Sequence, residues 1–162
     1  MKLIYTLIIG LAITCHAKIG VEYQMQLGNP TGAKSDSSNH EHYLIQRSVL
    51  AEDYDDQRGE PNWVAWDLTA DDIGPAKRTP AFHPDSELPT SFHQITSADY
   101  KQSGFDRGHM CPSADRTDNA EDNELVFAMS NIIPQTKDNN EGRADVSFDR
   151  CFNLRPPRFG CC

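Results

Sequence analysis

The order of hydrophobic and polar positions predicts two strands and a connecting turn near the centre of the chain. Residues 43–50 are rich in strand-forming side chains, and residues 62–68 alternate between apolar and polar positions. Both patterns are typical of β-strands. The polar residues 53–60 between them predict a hairpin turn, and the acidic run at residues 52–56 is interpreted as a solvated part of it.

The second half of the chain predicts shorter elements. Residues 74–89 contain four prolines and predict an extended surface loop. Residues 118–123 predict one helical turn, which leads into an apolar strand over residues 125–129. There is no internal repeat. Strands followed by short helices indicate the α+β class.

The first seventeen residues differ from the rest of the chain. Lys2 precedes thirteen uncharged residues, and Cys15 and Ala17 stand three and one positions before a cleavage point. This arrangement is typical of a secretory signal peptide over residues 1–17, and the apolar run is shorter than the roughly 20 residues that span a bilayer. We therefore expect a secreted or periplasmic protein without stable membrane association after cleavage; an uncleaved anchor is the alternative.

The last twenty residues also differ from the middle. Residues 143–162 contain four of the nine arginines and three of the five cysteines, without a clear apolar period. Residues 18–142 instead hold 10 basic and 22 acidic residues, a net charge of −12. We divide the chain into the signal peptide, an N-terminal segment at 18–42, a domain at 43–142 and an atypical tail at 143–162. A basic tail, a short paralogue and a shifted reading frame all fit this change.

Composition sets outer limits on the function. The 162 residues suit one domain, and 38% hydrophobic with 24% charged residues suits a folded chain. A net charge of −9 gives no overall basic surface for nucleic acid. Five cysteines are too few for a domain held together by disulfides.

Reactive residue types are most concentrated between positions 106 and 140. Asp106, Arg107, Gly108 and His109 follow one another directly. An imidazole can take a proton from water near neutral pH, and an arginine can meet the charge that builds on a phosphorus centre. We expect Gly108 to allow a sharp backbone turn between them. For these four residues alone, a turn with an ion pair is the alternative.

Two further motifs follow at fixed spacing. Ser-Asn-Ile-Ile-Pro-Gln occupies residues 130–135, and Asn140 stands five positions after the glutamine. Together with Asp-Arg-Gly-His, these motifs resemble those of the DNA/RNA non-specific endonuclease family, which includes secreted bacterial nucleases and mitochondrial endonuclease G. The resemblance covers roughly residues 26–142. It implies a ββα-metal (His-Me finger) fold, a central antiparallel sheet flanked by helices, with the C-terminal part missing.

The resemblance also implies the catalytic roles. His109 matches the general base that activates water, while Arg78 and Arg107 match phosphate-contacting arginines. Asn131 matches an asparagine that orients the site; capping of a strand end is its structural alternative. The implied reaction is Mg²⁺-dependent hydrolysis of DNA and RNA without strong sequence preference, because contacts to phosphates and sugars carry no sequence information.

The metal site follows from the same resemblance. Asn140 matches the single direct protein ligand of Mg²⁺ or Mn²⁺, which suits an ion that keeps most of its water. Asp106 is expected to support either the metal or Arg107 without binding the metal directly. Substrate binding by an acidic protein then needs a local positive strip, for which we expect Arg78, Arg107 and Arg116.

Other residues have competing interpretations. His40 and His42 form a His-x-His pair, which indicates either a metal site or, more simply, a solvated loop. Trp63 and Trp66 suit base stacking or strand packing, and we favour packing. A bond between Cys111 and Cys151 cannot be deduced from the sequence.

The end of the chain departs from the family pattern. The family continues along a helix with a glutamate that holds metal-bound water, whereas this chain has Phe148 there. A catalytically inactive truncated paralogue, or a fragment of a gene model, is therefore the alternative function. A secreted acidic domain that binds metal or protein through His40 and His42 is a third. The oligomeric state stays open.

Overall fold

Two antiparallel sheets organise the protein. The computed structural model describes residues 24–79 and 81–141 and the backbone of residues 158–161. The strands are β1 (Tyr43–Gln46), β2 (Ala51–Asp55), β3 (Glu60–Leu68), β4 (Asp106–His109), β5 (Ile132–Gln135) and β6 (Arg158–Cys161). The α-helices are α1 (Ala120–Leu125) and α2 (Lys137–Asn140), and 3₁₀ turns occupy Ala70–Asp72, Ser113–Asp115 and Met129–Asn131.

The larger sheet has the order β1-β2-β3-β6, and each neighbouring pair is antiparallel. Arg47 N donates to Leu50 O at 2.8 Å and closes the turn between β1 and β2. Gly59 closes the next turn with φ +70°, a conformation that a residue without a side chain adopts readily. In the tail, the backbone of β6 pairs with β3, from Ala65 opposite Cys161 to Leu68 opposite Arg158.

The predicted hairpin is present, but the residues that form its turn differ from the prediction. The strand predicted over 43–50 ends at Gln46, and the acidic run at 52–56 forms most of β2 rather than a solvated turn. Glu52 and Asp53 are fully buried there. Asp53 Oδ2 accepts from Thr31 Oγ1 at 2.6 Å and lies 2.9 Å from His42 Nδ1. Partners distant in sequence therefore compensate the burial of these carboxylates.

The smaller sheet pairs β4 with β5, and α2 follows directly. The register places Asp106 opposite Gln135 and His109 opposite Ile132. The predicted helical turn is present as α1, which begins after Asn119, whose side chain accepts from the Asp122 amide at 2.8 Å. The strand predicted over 125–129 is wrong: Leu125 ends α1, the residues after it turn into the core, and the strand begins at Ile132.

The core lies between the two sheets. Its buried residues come from the first hairpin, from β3 and from the segments beside β4 and α1; they are Val49, Leu50, Val64, Trp66, Cys111, Val126 and Phe127. Antiparallel sheets with few short helices agree with the α+β prediction, and the predicted loop over 74–89 holds no helix or strand among its described residues. The packing buries one face of the small sheet and leaves the other free to line a groove.

The predicted signal peptide at 1–17, Phe148 and Cys151 lie outside the described residues. Within the described residues, no helix combines the length and the apolar character needed to cross a bilayer.

Candidate active site

His109 stands at the end of β4 against two aromatic rings. Its ring centroid lies 4.6 Å from that of Phe127, edge to face, and 5.2 Å from that of Phe82. Nε2 is buried and forms no hydrogen bond with any described residue. Burial, and then the positive charge of Arg78, lower the pKa of His109 to about 4. The imidazole is therefore neutral at neutral pH and ready to accept a proton.

The same two rings hold two guanidinium groups. Arg78 lies over Phe127, 4.8 Å from the ring centroid, and Arg107 lies over Phe82 at 4.3 Å. Arg107 Nη1 also donates to Ser97 Oγ at 3.0 Å. Cation–π contacts of this kind fix a guanidinium without neutralising its charge. The two rings that contact the imidazole therefore each hold a positive group.

Asp106 and Asn140 meet beside these cations. Asn140, at the end of α2, donates from Nδ2 to Asp106 Oδ2 at 3.3 Å. Its Oδ1 forms no hydrogen bond within the described part of the chain. An amide oxygen next to a carboxylate is a donor set that suits a hard cation such as Mg²⁺. The residues predicted as metal ligand and support therefore fit that ion.

An open groove of about 420 Å³ joins these groups. Its lining residues are Arg78, Phe82, Ser97, Tyr100, Lys101, Phe105, Asp106, Arg107, Asn140 and Glu141. Four of the six predicted site residues are among them, and His109 lies behind the wall that Phe82 forms. A groove open along its length is suited to a chain-like ligand.

Asn131 lies behind the groove rather than along it. It is fully buried: its Oδ1 accepts from Cys111 N at 2.9 Å, and its Nδ2 donates to Cys111 O at 3.0 Å and to Val126 O at 2.8 Å. Its own carbonyl accepts from Met110 N at 3.0 Å. Asn131 therefore holds the backbone that follows His109, and it touches no groove-lining residue through these bonds.

Gly108 serves close packing and not the predicted sharp turn. It lies inside β4 opposite Ile133, in extended backbone. A Cβ atom at this position would overlap the side chain of Gln135. The glycine of the motif thus makes room for the side chain of Gln135, which crosses directly over the strand and would have to move for any larger residue.

Arg116 does not belong to a positive strip. It is buried, and its guanidinium donates to Val49 O at 3.1 and 2.6 Å and to Asp67 O at 2.7 Å. It holds the sheet to the segment after β4. The prediction that it faces the substrate is wrong, because four hydrogen bonds to backbone carbonyls, including one from Nη1 to Asp115 O at 2.7 Å, take up its donors in the core.

The other histidines, tryptophans and cysteines considered from the sequence have structural roles where the structure describes them. His40 Nδ1 lies 2.7 Å from Asp56 Oδ2, and across residues 24–79 and 81–141 no group of three or more metal-ligating side chains forms. Trp66 packs in the core, as we favoured, and donates from Nε1 to Asp115 Oδ2 at 2.9 Å. Cys111 is a buried free thiol whose pKa burial raises.

Sequence reasoning missed Lys101, Phe82 and Phe127. Lys101 lines the groove and, like Arg78 and Arg107, has no ion pair with a described carboxylate. One indication of this role was present in the sequence, because Lys101 stands only five positions before Asp106 of the motif. The two phenylalanines had none, because their role depends on packing between distant segments.

Comparison with known proteins gives consistent results. The profile of the family described as DNA/RNA non-specific endonuclease matches residues 25–145. A nuclease from Nostoc sp. strain PCC 7120 is 40% identical over 134 residues, which are 83% of this chain and 49% of that protein. The mitochondrial nuclease EXOG of Mus musculus is 38% identical over 91 residues, 55% of this chain and 24% of its own length.

A structural relative agrees with these sequences. The crystal structure of the EndoG/EndoGI complex contains a chain that is similar with a TM-score of 0.60 and 26% identity, over 72% of this chain and 45% of that one. The protein thus spans half or less of the length of these relatives.

Proposed function

The chain belongs to the DNA/RNA non-specific endonuclease family, and we propose that it hydrolyses phosphodiester bonds in both DNA and RNA. The observation that supports this most directly is the surroundings of His109. A neutral imidazole contacts the two rings, Phe82 and Phe127, that hold guanidinium groups with no ion pair to a described carboxylate. The Asp106–Asn140 pair lines the same groove as those guanidinium groups. This set can both activate water and bind a phosphate.

His109 is the general base of the proposed reaction. Because Nε2 is enclosed, Nδ1 is the ring nitrogen at which water loses its proton, and the neutral ring carries its hydrogen on Nε2. A lowered pKa keeps this nitrogen unprotonated across the physiological range. General-base catalysis of this kind contributes about 10²–10⁴-fold to a rate.

Arg78 and Arg107 bind the phosphate under attack. Their N–H groups can donate to two non-bridging oxygens, and they remain charged at every relevant pH. Phe82 and Phe127 keep both guanidinium groups in place before substrate arrives. Charge that develops on phosphorus therefore meets preorganised donors.

Asn140 would hold Mg²⁺ or Mn²⁺ through its amide oxygen, with Asp106 placed to accept hydrogen bonds from the ion's water. When bound, such an ion stabilises the leaving oxygen and the negative charge on the phosphate. The family resemblance supplied this assignment, and the donor chemistry of the two side chains supports it.

Binding without strong sequence preference follows from the groove's chemistry. Its cations Arg78, Lys101 and Arg107 suit phosphates, and they are concentrated in a protein of net charge −9. Local positive charge on an acidic protein predicts weak binding that salt weakens further. We also propose secretion after removal of residues 1–17, which rests on the pattern of a signal peptide in the sequence.

A nicking assay on supercoiled plasmid tests the proposal. We would compare the wild-type chain with His109→Ala in Mg²⁺ and in EDTA, and repeat the comparison on an RNA substrate. His93→Ala is the matched control, because His93 is an exposed histidine outside the groove.

Cleavage that requires both Mg²⁺ and His109, and that the control retains, would support the proposal. Cleavage that persists in His109→Ala would refute the mechanism. A chain that circular dichroism shows to be folded, yet that cuts neither substrate, would favour the inactive paralogue.

A further inference from the structure

A cluster of buried charges joins the two sheets behind the groove. Arg47, Glu52, Asp85 and Ser130 are 4%, 0%, 3% and 1% exposed. Arg47 donates from Nη1 to Glu52 Oε1 at 3.2 Å and from Nη2 to Asp85 Oδ2. Ser130 Oγ lies 2.7 Å from Glu52 Oε1 and 2.5 Å from Asp85 Oδ2. These four residues form the carboxylate cluster.

The carboxylate cluster has one hydrogen too few if both acids are ionised. Ser130 carries a single hydroxyl hydrogen, which can be donated to only one of the two carboxyl groups. The second short oxygen–oxygen contact then needs another hydrogen between its atoms. A proton on one of the acids supplies it.

The charge balance leads to the same conclusion. Two fully buried carboxylates face one buried guanidinium, while Glu87, which lies 3.2 Å from Arg47 Nε, is half exposed to solvent. An uncompensated buried charge is costly, so one added proton makes the buried part of the cluster neutral.

Glu52 is the better site for that proton. Its Oε2 is buried without a hydrogen-bond partner among the described residues, as expected of an acid that need not be ionised. Burial above all, helped by the negative charges of Asp85 and Glu87, raises the pKa of Glu52 to about 7, although Arg47 and the hydrogen bond with Ser130 act to lower it. Tyr54 and Cys111 also face Glu52, and their own pKa values are raised.

The carboxylate cluster is connected to His109 through Asn131 and Ile132, the two residues that follow Ser130 in the chain. Ser130 precedes Asn131, whose carbonyl and side chain bind the backbone of Met110 and Cys111. Ile132 then lies opposite His109 in the β4–β5 pair. A shift of Ser130 is therefore transmitted to the backbone that places the imidazole.

We propose that Glu52 is a positioning residue that acts as a neutral acid, donating its proton to Ser130, which in turn donates to Asp85. This chain of hydrogen bonds holds Ser130 and, through Asn131, the strand that carries His109. The inference rests on the proposed nuclease function for its kinetic consequence, but the protonation itself can be measured without any activity.

Infrared difference spectroscopy measures the proton directly. Between about pH 6 and about pH 8, one unit on each side of the pKa of Glu52, the full-length chain loses one carbonyl band of a buried carboxylic acid. The band is absent from Glu52→Gln. A wild-type spectrum without this band, or a band that Glu52→Gln retains, would overturn the inference.

Amide NMR over the same pH range measures the positioning. The amides of Met110 and Cys111 are expected to titrate with Glu52 in the wild type and to stay constant in Glu52→Gln, because glutamine donates to Ser130 but cannot ionise. The amide of Gly28, in a turn closed by Met25 O, is the internal control. Constant Met110 and Cys111 amides in the wild type would contradict a positioning role.

Nuclease kinetics provide the third measurement. The ratio of Glu52→Gln kcat to wild-type kcat is expected to rise as pH passes 7, with KM unchanged, whereas Ser130→Ala lowers kcat at every pH. Identical pH profiles for wild type and Glu52→Gln would refute positioning. If Glu52→Gln does not fold, the infrared band and the amide titrations of the wild type still test whether Glu52 is protonated. If the wild type cleaves no substrate, the nuclease proposal fails, but the spectra still test the proton on Glu52.

Discussion

The guanidinium of Arg107 lies over the ring of Phe82, 4.3 Å from its centroid. The same ring also shields His109, 5.2 Å away between centroids, from water. One apolar side chain thus fixes a cation and keeps the neighbouring base uncharged. The proposed mechanism depends on both effects, and substitution of Phe82 tests them together.

Replacement of Phe82 by leucine should weaken both effects. Loss of a cation–π contact worth about 0.5–2 kcal/mol predicts a fall in kcat/KM of about two- to thirty-fold, and better hydration raises the pKa of His109. The measurements are steady-state cleavage and an NMR titration of the imidazole. Phe92→Leu, in the separate core cluster of Ile45 and Tyr54, is the control. Equal losses in both variants would indicate general destabilisation.

Arg78→Gln should move the acid limb of the pH–rate profile. Arg78 disfavours the protonated imidazole, so its removal raises the pKa of His109 from about 4 towards the ordinary value. The profile of kcat/KM therefore loses activity at a higher pH than the wild type, besides an overall decrease from lost phosphate binding. An imidazole pKa that stays constant by NMR would show that Arg78 does not act on His109.

Lys101→Ala should reduce the salt dependence of binding. One phosphate contact contributes about 0.7 to the slope of log affinity against log salt for single strands and about 0.9 for duplex. We expect that decrease for Lys101→Ala, measured with a noncleavable oligonucleotide, with kcat nearly unchanged. Lys34, which is exposed and lies outside the groove, gives the control variant Lys34→Ala. Equal slopes for Lys101→Ala and the wild type would exclude a phosphate contact.

Asn140→Ala and Asn139→Ala test the metal assignment as a pair. The two residues are adjacent and exposed, but only Asn140 contacts Asp106 and lines the groove. Loss of a direct oxygen ligand predicts a higher Mg²⁺ concentration for half-maximal cleavage and weaker Mg²⁺ binding by calorimetry in Asn140→Ala. Asn139→Ala should match the wild type in both. The reverse result would shift the ligand by one position.

The local patterns of the sequence predicted much of the fold and the chemistry. The alternation over residues 62–68 corresponds to β3, which extends to Glu60 at its start, and the polar residues 118–123 precede and enter α1. Asp106, Arg107 and Asn140 meet in one groove with Arg78, although these residues are up to 62 positions apart. Their catalytic roles stay predictions.

The sequence-based predictions were wrong about the burial of several charged residues. Glu52, Asp53 and Arg116 were expected at the surface, because an isolated charge is unfavourable in a protein interior. All three have partners in remote parts of the chain: Ser130 reaches Glu52 across 78 positions, Thr31 reaches Asp53 across 22, and Arg116 reaches Val49 across 67. No local pattern encodes such a pairing.

The sequence by itself determined which elements form and which residue types stand at fixed spacing in the motifs, because hydrophobic period and turn chemistry act over a few residues. Only the tertiary structure decided the environment of each group. The rings of Phe82 and Phe127 lower the pKa of His109 by excluding water, and the carboxylate cluster becomes stable only when two sheets close over it. Water is excluded only when the whole chain has packed, and this exclusion sets the charge of His109 and of the carboxylate cluster.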